Sequence, residues 1–84
     1  MKIYIVEGNT GEYSDRVNWL VKAFKTTEKA EAYRDMLHSK LLELKLYERK
    51  IDRNVKIMQE YDEQFQCDYT GSEYTILTVE MDEL

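Results

Sequence analysis

Hydrophobic and polar positions along the chain change period twice. Lys2-Ile3-Tyr4-Ile5-Val6 is a β-branched and aromatic run, which predicts a strand. Glu7-Gly8-Asn9-Thr10-Gly11-Glu12 follows, and its two glycines and Asn mark a loop. A second strand is predicted over Val17–Phe24, where period-2 alternation would put Val17, Trp19, Val21 and Ala23 on one face. Asn18, Leu20, Lys22 and Phe24 would lie on the other.

The period then lengthens. Thr26-Thr27-Glu28 supplies a hydroxyl cap and an acid for a helix start. From there to about Phe65 no Gly or Pro interrupts the chain. Apolar residues recur at Ala30, Tyr33, Leu37, Leu41, Leu44, Tyr47, Ile51, Val55, Met58, Tyr61 and Phe65, with a mean step of 3.5 residues. This stripe is compatible with one long helix or with a helical hairpin. A single helix of 40 residues would reach ~60 Å, far beyond a three-stranded sheet. A hairpin would turn near Asp52-Arg53-Asn54, where helix propensity is weakest. Tyr74–Met81 is again rich in β-formers and predicts the third strand, after the loop cluster Asp68-Tyr69-Thr70-Gly71-Ser72. The expected fold is α+β: one domain over residues 1–84, a small antiparallel three-stranded sheet in the order ββ-α(α)-β, and a long helix or helical hairpin.

Size and composition sharpen this. A domain of 84 residues buries only about 60% of its unfolded surface. Cys67 is the one cysteine, so no internal disulfide can form, and one His with one Cys does not make a usual zinc site. Self-association is the remaining source of buried surface, and a homo-oligomer using the Leu37–Met58 stripe is expected. No stretch has the ~18 apolar residues of a membrane span, so a cytoplasmic protein is expected. The net charge of −5 is uneven: eight acids and no Lys or Arg fall between Glu60 and Leu84, leaving residues 1–59 at +3. An acidic end disfavours direct nucleic-acid binding and would suit a basic protein groove.

Catalytic signatures are scarce. The single His38 lies in the helical stretch, no elbow motif surrounds any serine, and there is no Walker loop or dinucleotide fingerprint. Chance pairs are nearly inevitable among 17 acids. Glu12 and Asp15 could offer oxygen ligands to a divalent ion, but such sites usually draw on more carboxylates in a defined loop. The expectation is a non-enzymatic protein with no cofactor and no metal.

Two loops hold the more suggestive residues. The first contains Asn9, Thr10, Gly11, Tyr13, Ser14, Asp15 and Arg16; the second contains Asp68, Tyr69, Thr70, Gly71 and Tyr74. Glycines expose backbone N–H groups to anionic oxygens, and Arg16 can fork onto phosphate. Tyrosines offer faces on which a base can stack, and carboxylates accept from ribose hydroxyls or a base amine. These are the parts of a nucleotide pocket. They are equally the ordinary residues of turns. A shared pocket requires the third strand to start at the end where the first loop lies. An odd number of helical passes achieves that most directly.

The same loops carry a resemblance. The run from Lys2 to Arg16, which ends in Gly8-Asn9-Thr10-Gly11-Glu12-Tyr13-Ser14-Asp15-Arg16, and then Trp19 and Val21 to Phe24, resembles the start of a family of small bacteriophage proteins with a Gly-Thr-Thr-Gly-Glu-Tyr-Ser-Asp-Arg motif. The stretch from Phe65 to Tyr74, with Asp68-Tyr69-Thr70-Gly71-Ser72 inside it, is similar to that family's closing Asp-Tyr-Thr-Gly-Thr. The likeness covers the two ends, about 35 residues, while Asn9 and Ser72 replace threonines and the middle does not match. It implies a setting rather than a mechanism: a phage accessory protein in the host cytoplasm, acting in counter-defence. Within that setting three partners are expected as alternatives. A nucleotide-type immune signal could be sequestered by the loops, a host nucleic-acid-binding defence protein could be blocked by the acidic end, or a dimeric helical adaptor could bridge other proteins.

Overall fold

The computed structural model describes residues 1–81. Three strands form one antiparallel sheet in the order β2-β1-β3: β1 is Lys2–Thr10, β2 is Val17–Phe24 and β3 is Ser72–Glu80. Two helices lie between β2 and β3 in sequence, α1 over Thr27–Glu43 and α2 over Asp52–Met58. The α+β class, the sheet and the element order agree with the sequence pattern. β1 runs four residues beyond the predicted strand, because β3 pairs with it as far as Thr10 opposite Ser72.

A bulge in β2 corrects the predicted alternation. Val6 sits opposite Lys22, but Glu7 sits opposite Leu20, so Val21 is an extra residue. The parity of side chains flips there. Trp19, opposite Gly8, and Phe24, opposite Tyr4, therefore share the core face, whereas Ala23 is exposed. The indole of Trp19 lies so close over Gly8 that any Cβ at that position would collide with it. The glycine is there for this close approach.

α1 covers this face, burying Ala30, Leu37 and Leu41 against Val6, Trp19 and Tyr74. Its 17 residues span ~25 Å at 1.5 Å per residue, close to the length of a nine-residue strand. Thr26 is its N-cap and accepts from the Lys29 N–H at 3.3 Å. Among the described residues, no helix is long and apolar enough to cross a membrane.

The continuous stripe does not form one helix, and its break is not at residues 52–54. α1 stops at Leu44, with Leu46 N–H bonding Leu41 O at 2.8 Å and Lys45 N–H bonding Leu42 O at 3.2 Å. That is a Schellman termination, in which the left-handed position is held by Lys45 at φ 58° instead of by glycine. Leu41 and Leu46, both fully buried, supply its hydrophobic contact. Asp52, Arg53 and Asn54 form the first turn of α2, and Asn54 Nδ2 donates to Leu44 O at 2.8 Å, tying the second helix to the end of the first. The stripe residues Leu37, Leu41 and Met58 have no exposed surface, so they serve this chain's own core and offer no face to a second copy.

Candidate functional site

The irregular segment 59–71 returns the chain so that β3 begins beside the end of β1, and the two suspected loops meet. Thr10 is the clasp. Its hydroxyl donates to Gly71 O at 2.6 Å and accepts from Asp68 N–H at 2.7 Å. Gly71, at φ 93°, is required twice over, because a side chain there would be strained and its Cβ would strike the Tyr47 carbonyl. A third segment, 44–51, is thereby drawn in, and Ser72 N–H donates to Leu46 O at 2.9 Å.

An open groove of about 190 Å³ lies where these segments join. Asn9, Gly11 and Arg16 line it from the first loop, and Thr70 and Gly71 from the second. Glu12, Ser72, Glu73 and Tyr47 complete the wall. Asn9 is only 4% exposed, and its Nδ2 is buried with no hydrogen-bond partner among the described residues. Leaving a buried amide unsatisfied costs about 1–3 kcal/mol, and such an atom in a native fold calls for an acceptor. Arg16 is exposed and forms no ion pair among the described residues.

Other predicted site residues lie elsewhere. Tyr74 is a correction: it is 2% exposed in the core, and its hydroxyl donates to Asp62 Oδ2 at 2.8 Å, so no base can stack on it. Thr10 is present at the junction, but both functions of its hydroxyl are used in holding the loops together. Asp68 folds back on its own loop, its Oδ1 accepting from Tyr69 N–H at 2.8 Å. Tyr69 is 77% exposed and stands outside the groove wall. Ser14 and Asp15 are exposed on a 3-10 turn beside the groove and do not line it. The Tyr13 side chain lies outside what the structure describes.

Two features escape a reading of the sequence. The first is Tyr47, brought to the groove by the Schellman turn, with its ring edge-on to His38 at 5.8 Å. No local signal marks it among seven tyrosines. The second is Asp62. Counted with the acidic end, it is in fact 4% exposed and accepts from Trp19 Nε1 at 2.7 Å, from Tyr74 Oη, and from Gln64 N–H at 3.2 Å. Burial, and then the adjacent Asp62 carboxylate, push the Tyr74 hydroxyl's pKa far up; the same two causes raise Tyr33. Burial likewise pushes up the Cys67 thiol, which makes it a poor nucleophile.

A cavity of about 300 Å³ lies beside Asp62, with Tyr33 and Tyr61 in its wall. Its carboxylate is already engaged, and Lys22 and Lys40 already sit over those two rings at 5.4 and 4.9 Å. No group of three or more metal-ligating side chains gathers among the described residues. No family model, no curated protein and no solved structure matches the chain.

Proposed function

We propose that this protein captures a small nucleotide-type ligand in the groove between its two glycine-containing loops and holds it without chemical change. The observation that carries this reading is the buried, unpartnered amide of Asn9 in a groove that also presents an uncommitted arginine. Around it stand acceptors for hydroxyl and amino groups, Glu12 and Glu73, and an aromatic wall, Tyr47. Set in the bacteriophage context implied by the loop motifs, such a protein sequesters a host immune signal and so acts in counter-defence.

Charge mimicry by the acidic end is the weaker reading. Asp62 is buried, Glu73 faces the groove and Glu80 lies at the far end of β3 against the N-terminus. Seven steps along the strand separate Glu73 from Glu80, roughly 23 Å. These three acids are dispersed rather than gathered into one phosphate-like surface.

Thermal unfolding in the presence of cyclic nucleotides and ADP-ribose derivatives tests the proposal. A ligand at about a hundred times its Kd stabilises by roughly 2.7 kcal/mol, which raises the Tm of so small a domain by roughly 10 °C or more. The expected result is saturable stabilisation by at least one member, recovered intact by mass spectrometry. Unchanged melting across the panel would discard ligand capture.

A further inference from the structure

We infer that the groove continues past Tyr47 into a cationic compartment, formed by Lys45 and Arg49, that takes the phosphate of the bound nucleotide. This deepens the reading above and rests on it. A second cavity of about 280 Å³ is bordered by Lys45, Tyr47, Glu48 and Arg49, with Leu42 as its apolar wall. Tyr47 belongs to both cavities.

The charges divide between the two. In the first groove Glu12 and Glu73 outnumber Arg16, so a phosphate there would face two like charges. Those carboxylates suit the uncharged polar end of a nucleotide, the sugar hydroxyls and base amino groups. In the second cavity Lys45 and Arg49 outnumber Glu48. Neither cation forms an ion pair among the described residues, whereas Arg34, Lys40 and Lys50 each pair with a neighbouring acid. Tyr47, 41% exposed, stands between the polar end and the phosphate end, where a flat ring can pack against base or sugar.

The backbone provides an independent sign. Lys45 occupies the left-handed position of a Schellman turn, where glycine is the favoured residue. Strained non-glycine residues of this kind gather at ligand clamps. The segment is also held in place before any ligand arrives. Ser72 N–H bonds Leu46 O and Asn54 bonds Leu44 O, so little ordering remains to be done on binding.

The test is calorimetric titration of the full chain with adenosine, AMP, ADP-ribose and cyclic di-AMP. Wild type is compared with Lys45→Gly/Arg49→Ala and with Asn9→Leu. Glycine suits the left-handed backbone and Arg49 is exposed, so the double variant keeps the fold; Arg49→Ala alone serves if melting shows otherwise. The expected result is a loss of roughly tenfold or more for the phosphorylated probes in the double variant, with adenosine affinity unchanged. Raising salt from about 50 to about 300 mM should weaken the phosphorylated probes in wild type and much less in the variant. Phosphorylated probes that bind both proteins equally, and lose affinity only in Asn9→Leu, would remove the phosphate compartment and leave the groove. An equal loss for adenosine in the double variant would also overturn it. No binding of any probe to wild type would remove the groove reading and this inference together.

Discussion

Asp62 and Asn9 are both polar, both 4% exposed, and lie on opposite sides of the same structural problem. Asp62 is surrounded by donors: the Trp19 indole, the Tyr74 hydroxyl and the Gln64 backbone all point at its carboxylate. Asn9 has a donor with nothing to receive it. The first arrangement is complete, and it fastens β2, β3 and the irregular return segment to one another. The second is incomplete, with its donor buried in a residue that lines an open groove. A buried polar group whose bonds are all made contributes to the fold, whereas one whose bonds are missing makes the site depend on what enters it.

That contrast can be broken by substitution. The largest effect is expected for Asp62→Ala, which strands the Trp19 N–H and the Tyr74 O–H in the core. At about 1–3 kcal/mol for each stranded group, the loss should reach roughly 2–5 kcal/mol, measured by urea unfolding. A domain of this size has little more than that in total. A loss below about 1 kcal/mol would mean that the carboxylate is not the fastening.

Tyr74→Phe removes one hydrogen bond to that carboxylate and is expected to cost roughly 1.5–3 kcal/mol near neutral pH. The variant also has a pH signature. The folded-state pKa of Tyr74 lies above its ordinary value of about 10, so its contribution is fully present below that pH. It is lost as pH rises through the alkaline range, because the unfolded chain ionises first. Tyr33 and Cys67 are shifted in the same direction in both proteins, so the gap between wild type and variant isolates Tyr74. That gap should narrow above about pH 10, in unfolding curves taken at steps of pH. A constant gap would contradict the buried hydroxyl.

The smallest effect on stability, and the sharpest comparison, is expected at Asn9. Replacing an unsatisfied buried amide by a side chain of similar size removes a penalty and, among the described residues, no side-chain bond. Asn9→Leu should therefore be neutral, or stabilising by up to about 1 kcal/mol, while abolishing ligand binding at the groove. A destabilisation as large as that of Asp62→Ala would show that the amide is satisfied in solution and would take away the chief support for the groove.

The two loops were legible as loops from their residue types: Gly8 and Gly11, the hydroxyls, and Arg16 stand close in sequence, and Gly71 marks their counterpart. Their meeting was not legible. It depends on β3 pairing with β1 as far as Thr10, and on one hydroxyl bonding Gly71 and Asp68, some sixty positions away in sequence. Tyr74 was misjudged for a related reason. A tyrosine at the start of a strand looks the same whether it faces solvent or core, and only the packing of Trp19 and Phe65 around it decides.

Local chemistry, read along the chain, determined the α+β class, the number and order of the strands, the helix start at Thr26–Thr27 and the absence of an internal disulfide. These follow from side-chain period and from residue types that act within a few positions. Tertiary structure alone decided where the long apolar stripe breaks, because Leu46 gains more by entering the core than Lys45 loses in a left-handed backbone. It alone decided that Asp62 is a buried fastening and Glu73 a groove residue, although in sequence both are acids near the C-terminal end. The physical reason is the same in each case: burial and hydrogen-bond partners come from segments distant in the chain, and a residue type states what it can bond, not what it will meet.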